Sequence, residues 1–126
     1  MFGIEWEYIE VAGGSMVRPG KPFMDDAAEW YDRLVWPDIE SWDREGSAKA
    51  NSGRFLKPDN FNICWFQTGW YERLVSFMDF EGAVMAMIDE DQKGAVKELF
   101  DKLADLYISI LEKYLEYYEN IDGFYL

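Results

Sequence analysis

The chain has 126 residues, a single domain or less at about 150 residues per domain, with 25 acidic against 12 basic side chains, one cysteine and no histidine. Its net charge of −13 is spread along the chain: residues 1–69 hold seven cations against twelve anions, and the remainder five against thirteen. Such a surface repels phosphate backbones and anionic lipid, which argues against nucleic-acid and membrane partners. The missing histidine removes Ser-His-Asp and Cys-His catalysis, and one cysteine allows neither an intrachain disulfide nor a four-ligand Cys/His zinc site.

In chain order, Phe2 to Val11 alternates in part, with Ile4, Trp6, Tyr8 and Val11 on one side and Glu5, Glu7 and Glu10 on the other. That period predicts a half-buried strand, interrupted by Ile9. Gly13, Gly14, Pro19, Gly20 and Pro22 then punctuate a loop. Asp25 or Asp26 is placed to cap a short helix through Leu34, with Ala28, Tyr31 and Leu34 on one stripe and Trp30 beside it. Pro37 ends it, and the polar stretch Asp38–Asn60 reads as loop with at most one short helix.

The run Phe61–Phe66, aromatic and β-branched between Pro58 and Gly69, is too short for a buried helix and predicts a buried strand. Trp70 to Met78 places Leu74, Phe77 and Met78 at helical spacing, and Asp79 is suited to cap a second apolar segment with Val84, Met85, Met87 and Ile88. Asp89, with Gln92 three residues on, forms a capping-box-like start. From there Val96, Leu99, Leu103, Tyr107, Ile110, Tyr114 and Tyr118 recur in steps of three and four. The result is an amphipathic helix of about 28 residues, roughly 42 Å long at 1.5 Å per residue. Gly123–Leu126 then reads as the onset of a strand. Strand, helices and strand onset make a βαβ unit with its second strand parallel to its first. The chain divides accordingly into 1–60 (strand, loops and a short helix) and 61–126 (the strand-helices-strand unit). Its start shows no basic stretch followed by an apolar run, and no window reaches the roughly 20 apolar residues of a membrane span, so a cytoplasmic protein is expected.

From Phe66 onward the chain resembles the uroporphyrinogen decarboxylase family. The matching residues are the Gly-aromatic-aromatic-Glu-Arg-Leu opening at Gly69–Leu74, the long helix that follows, and the closing Ile121-Asp122-Gly123-Phe124-Tyr125-Leu126. Upstream, Gly13–Gly20 and Trp36–Asp43 resemble the branch of corrinoid and O-demethylating methyltransferases more than the haem-pathway enzyme. Order and spacing carry this resemblance. It implies an α/β fold built as a (β/α)₈ barrel of the TIM type, which typically needs about 250 residues, so this chain would form roughly half a barrel dominated by the long helix near its C-terminus. It implies as substrate a tetrapyrrole losing CO₂ from its acetate side chains, or a corrinoid carrier exchanging methyl groups. It implies no cofactor within the chain for decarboxylation. In the intact methyltransferase-like relatives it implies zinc on later His/Cys-bearing strands and a corrinoid partner. The arginine-rich N-terminal motif of the decarboxylase has no counterpart here, nor has the His-Asp-Asp loop of close relatives.

If the chain is part of such a barrel, Gln67, Thr68, Trp70, Glu72 and Arg73 follow a strand at the active-site face and are the substrate-pocket candidates. The bland alternative is a helix start whose charges pair with neighbours. Gly13, Gly14 and Arg18 form a weak anion-loop candidate without a Walker lysine, and an ordinary turn explains them better. Asp89, Glu90 and Asp91 suit a helix dipole better than a metal. Tyr107, Tyr114, Tyr117 and Tyr118 suit core or interface packing better than a ligand platform. Cys64, without a basic neighbour, reads as an inert thiol. A non-enzymatic acidic assembly module is the alternative function. Half a barrel would leave strand edges and apolar faces open, so a homo-oligomer or a covering partner for the missing half is expected.

Overall fold

Local capping and three buried stripes account for most of the secondary structure in the computed structural model, which describes residues 1–66 and 68–126. The chain forms two compact units, one from Met1–Pro37 and Trp70–Lys102, the other from Asp38–Gly69 and Leu103–Leu126. Each unit therefore draws on two separate stretches of the sequence.

In the first unit, strands β1 (Glu7–Ile9) and β2 (Gly14–Met16) pair antiparallel, with Glu7 opposite Met16 and Ile9 opposite Gly14. Gly13 makes the turn at φ 65°, its N–H donating to the Glu10 carbonyl at 3.1 Å. This left-handed conformation favours glycine. The expected strand from Phe2 to Val11 is thus shortened to three residues, and Trp6, Tyr8 and Val11 are exposed. The buried residue of this segment is Phe2, 1% exposed, whose ring meets Phe77 and Trp36 edge-on at 5.5 and 5.4 Å. A half-buried strand needs a second layer against it; among the described residues, the ring contacts of this segment are those of Phe2.

Asp26 accepts from the Ala28 N–H at 2.8 Å and starts a 3-10 turn, Ala27–Glu29, that runs into helix α1 (Trp30–Arg33). The buried side chains are Ala27, Trp30 and Leu34, whereas Ala28 and Tyr31 are exposed. The expected stripe is out of phase because the first turn is 3-10 rather than α. Helix α3 (Trp70–Ile88) buries Leu74, Phe77 and Met78 as their spacing predicts. It breaks at Asp79 (φ 65°, ψ 171°), and beyond the break the buried residues are Ala83 and Ala86. Val84, Met85, Met87 and Ile88 are all exposed. Helix α4 (Lys93–Tyr117) runs through both units, contributing Val96 and Leu99 to the first core and Leu103, Tyr107 and Ile110 to the second. The early segment bonds to the α4 region: the Trp30 indole donates to the Ala95 carbonyl at 3.0 Å, and the Gln92 amide oxygen accepts from the Ala27 backbone N–H at 2.9 Å.

The second unit holds helix α2 (Arg44–Phe55), capped by Asp43 through the Gly46 N–H at 2.9 Å. It also holds β3 (Ile63–Trp65) and β4 (Gly123–Tyr125), which pair parallel with Ile63 opposite Gly123 and Trp65 opposite Tyr125. The parallel pairing expected from the order of elements is present. The expected burial of β3 is not: Ile63 and Trp65 are 55% and 68% exposed.

This architecture corrects the expected half barrel. Among the described residues there are two separate two-stranded sheets, one antiparallel and one parallel. A barrel requires a continuous ladder of tilted strands with hydrogen bonds on both sides of each. The fold is mixed α/β, predominantly helical, without a barrel. None of the helices described is long and apolar enough to cross a membrane.

Candidate anion-binding site

Within the first unit, the loop after β2 and the break in α3 enclose one side of a cavity of about 410 Å³. Arg18 and Lys21 reach it from the loop, Arg33 from the end of α1, and Ser76 and Asp79 from α3; Glu5 completes the charged lining. Three cations converge here in a chain carrying only 12.

The loop is positioned by Asp79. One carboxylate oxygen accepts from the Gly20 N–H at 2.5 Å and the other from the Phe80 N–H at 2.6 Å. These two donors, Gly20 first, hold the Asp79 carboxyl below its ordinary range, so the tether is ionised at neutral pH. Gly20 has φ 73°, and the left-handed turn aims its N–H at the carboxylate. Asp79 was expected to cap the second part of α3. It does mark the break, but its side chain bonds its immediate neighbour and a distant loop.

The cations differ in commitment. Arg33 is 2.5 Å from the Glu29 carboxylate and lies over the Phe23 ring at 4.8 Å. That hydrogen bond lowers the Glu29 pKa. Arg18 makes a long, exposed pair with Glu7 at 3.6 Å, a geometry worth little in water. Lys21 makes no ion pair among the described residues. Two of the three cations are therefore available at low cost to an incoming anion. The Ser76 hydroxyl is committed to the Arg73 carbonyl at 2.7 Å. What the lining offers chemically is positive charge, with Arg18 and Lys21 placed to meet a carboxylate or phosphate.

Of the sequence candidates, Arg18 lines this cavity. Gly13 and Gly14 shape the turn between β1 and β2 and do not line it. Gln67 lies outside the described residues. Thr68 is half-buried in the second unit. Trp70 opens α3, its indole donating to the Phe100 carbonyl at 3.1 Å, and Glu72 is exposed in the first turn. Arg73 is buried, with its guanidinium over the Phe2 ring at 5.1 Å. None of Thr68, Trp70, Glu72 and Arg73 lines the cavity. Sequence reasoning missed Lys21, Arg33 and Asp79. Lys21 had a signal, since Arg18 and Lys21 flank a Pro-Gly turn; Arg33 and Asp79 are joined to them only by the fold.

The three acids Asp89–Asp91 form a turn in which Asp89 accepts from the Asp91 N–H at 3.0 Å and from the Gln92 amide at 3.1 Å. Among the described residues no group of three or more His, Cys, Asp or Glu side chains is arranged to hold a metal. Compared with protein-family models, curated proteins and solved structures, the chain matches none.

Proposed function

We propose that the chain binds an anionic arm of a tetrapyrrole-type ligand, as part of a protein of the uroporphyrinogen decarboxylase kind acting in the cytoplasm. The observation that carries this reading is the convergence of Arg18, Lys21 and Arg33 on one cavity in a chain of net charge −13. The resemblance of Gly69–Leu74 and Ile121–Leu126 to that family supplies the ligand class. A cavity of about 410 Å³ suits a carboxylate arm, with the macrocycle lying outside it. In decarboxylation the pyrrole ring takes up the electron pair left behind when the C–C bond to CO₂ breaks, and a proton then takes the place of the lost carboxylate. Cations that grip the neighbouring carboxylates fix the ring's position. In methyl transfer the same cations would meet the phosphodiester of a corrinoid, whose ring arms are neutral amides. The zinc of the methyltransferase-like relatives does not fit the residues here, which offer one cysteine and no histidine. The chain by itself is accordingly a binding element, without turnover of its own.

Fluorescence titration with an octacarboxylate porphyrin and absorbance titration with hydroxocobalamin test this. Saturable binding of either, weakened when Arg18 and Lys21 are both replaced by alanine, supports it. Binding indifferent to both replacements, or none at all, overturns it. Turnover of a porphyrinogen or methyl-corrinoid by the purified chain, lost in Arg73→Ala, would overturn the view that it only binds.

A second reading, a non-enzymatic assembly module forming a homo-oligomer, is favoured by exposed apolar side chains. In the first unit Phe80, Met85 and Ile88 are 63%, 53% and 64% exposed on α3. In the second, Phe61 and Tyr125 are exposed beside the short parallel ladder. Charge of −13 opposes self-association, and salt screens that repulsion while leaving apolar burial intact. Sedimentation at low and high salt decides: a monomer at both counts against assembly.

A further inference from the structure

A second cavity, of about 250 Å³, lies within the second unit and has a different character. Its walls are Asn51, Phe55 and Leu56 toward the end of α2, Cys64 in β3, Tyr114 and Tyr118 near the end of α4, and Ile121 before β4. No charged side chain lines it. We propose that this cavity binds a small, uncharged, planar aromatic molecule carrying one hydrogen-bond acceptor, a site distinct from the anion site and independent of it.

Three observations point to that ligand class. First, the rings of Tyr114 and Tyr118 meet edge to face, centroids 5.6 Å apart at 89°. An edge-to-face pair covers only one face of one ring, so aromatic faces are left for a third ring to stack on or abut. Second, the two tyrosines are not equivalent. The Tyr118 hydroxyl is held by the Ser47 hydroxyl at 2.7 Å, and Asn51 donates to the Ser47 carbonyl at 2.8 Å, so this side is a fixed frame. Tyr114 is half-buried and its hydroxyl makes no hydrogen bond among the described residues, which leaves one donor for a ligand acceptor. Third, two titratable groups of the lining, Cys64 and Tyr114, are held in their neutral forms. Burial pushes the Cys64 thiol up, and burial, with Cys64 and Tyr118 nearby, pushes the Tyr114 phenol up against the opposing effect of Arg44. A charged ligand would lose its hydration without meeting a counter-charge among the lining side chains. A mostly apolar cavity with a few placed polar groups, here the Tyr114 hydroxyl and the Asn51 amide tied to Ser47, is the usual make-up of a small-molecule site.

Cys64 is the sole cysteine and lines the cavity, so it reports occupancy in the full-length chain. The experiment measures iodoacetamide alkylation of Cys64 against increasing indole, benzaldehyde or cyclohexanol, with benzoate as the charged control. The aldehyde supplies the acceptor that indole lacks. Saturable protection by the aldehyde is expected, with alkylation slowed roughly tenfold at about ten times its dissociation constant, since only the vacant fraction reacts. Indole should protect more weakly, and cyclohexanol and benzoate should not protect in the same range. Tyr114→Phe should bring the aldehyde down to the level of indole, and Lys21→Ala should leave protection unchanged. Alkylation indifferent to both aromatics overturns the proposal, as does equal protection by cyclohexanol. Should Tyr114→Phe fail to fold, the ranking of the four probes on the unaltered chain decides alone. Porphyrin binding at the anion site is a separate readout, so either reading can fail without the other.

Discussion

The two cavities invert each other's construction. In the first unit, loop and helix ends carry ions, and the site is held by a carboxylate bonded to backbone N–H groups. In the second, a helix terminus, a strand and the end of α4 supply rings and aliphatic walls, held by a hydroxyl and amide frame. The difference teaches how an acidic chain diversifies its surface. Cations concentrated at one place create attraction for an anion that the average charge would repel. Excluding charge at another place creates a site that net charge hardly touches.

The most disruptive way to break the comparison is to remove the packing under the charged cavity. Phe77→Ala deletes a fully buried ring that also supports Phe2. It is expected to cost about 3–5 kcal/mol, read from denaturant unfolding. A loss under about 1 kcal/mol would mean that this core collapses onto the gap. Next in size, replacing Arg18 and Lys21 together by alanine should weaken carboxylated-porphyrin binding by about tenfold or more, as charge-assisted hydrogen bonds are lost. Cys64 protection by the neutral aromatic should not change, and a parallel loss there would erase the distinction between the sites.

Gly20→Ala sharpens the comparison at the backbone. A Cβ at Gly20 meets no atom within 4 Å, so the penalty is purely that of φ 73° in a residue with a side chain. About 1–2 kcal/mol is expected, with weaker anion binding as the loop leaves Asp79. The smallest effect is in acid. The Asp79 carboxyl titrates below its unfolded value of 3.8. Its contribution is therefore present above about pH 4 and is lost as pH falls through the lower folded value. Asp79→Asn should flatten the unfolding midpoint between pH 4.5 and 3 relative to the unaltered chain, and identical acid profiles would remove Asp79 as the tether.

What could be read in advance was local. The three- and four-residue recurrence from Val96 to Ile110 needs only one apolar environment along one face, so its buried face followed from spacing. The caps at Asp26 and the turn at Asp89–Gln92 are short-range hydrogen bonds between neighbours. The parallel partnership of β3 and β4 followed from the order of elements. Of the candidate anion site only the Arg18–Lys21 turn carried a local signal, because nothing within a few residues links Lys21 to Arg33 or Gly20 to Asp79.

Tertiary structure decided the rest, for a common reason: burial depends on what another segment brings opposite a side chain. Ile63 and Trp65 belong to a run that reads as buried, yet a parallel pair standing alone leaves them exposed. Val84, Met85 and Ile88 are as apolar as Leu74 and Phe77, but the break at Asp79 turns Ala83 and Ala86 inward in their place. The barrel failed as an expectation in the same way. Strand-forming runs specify that a strand can form, whereas the number of neighbours it finds is set by long-range pairing, whose entropic cost must be met by contacts outside the run itself.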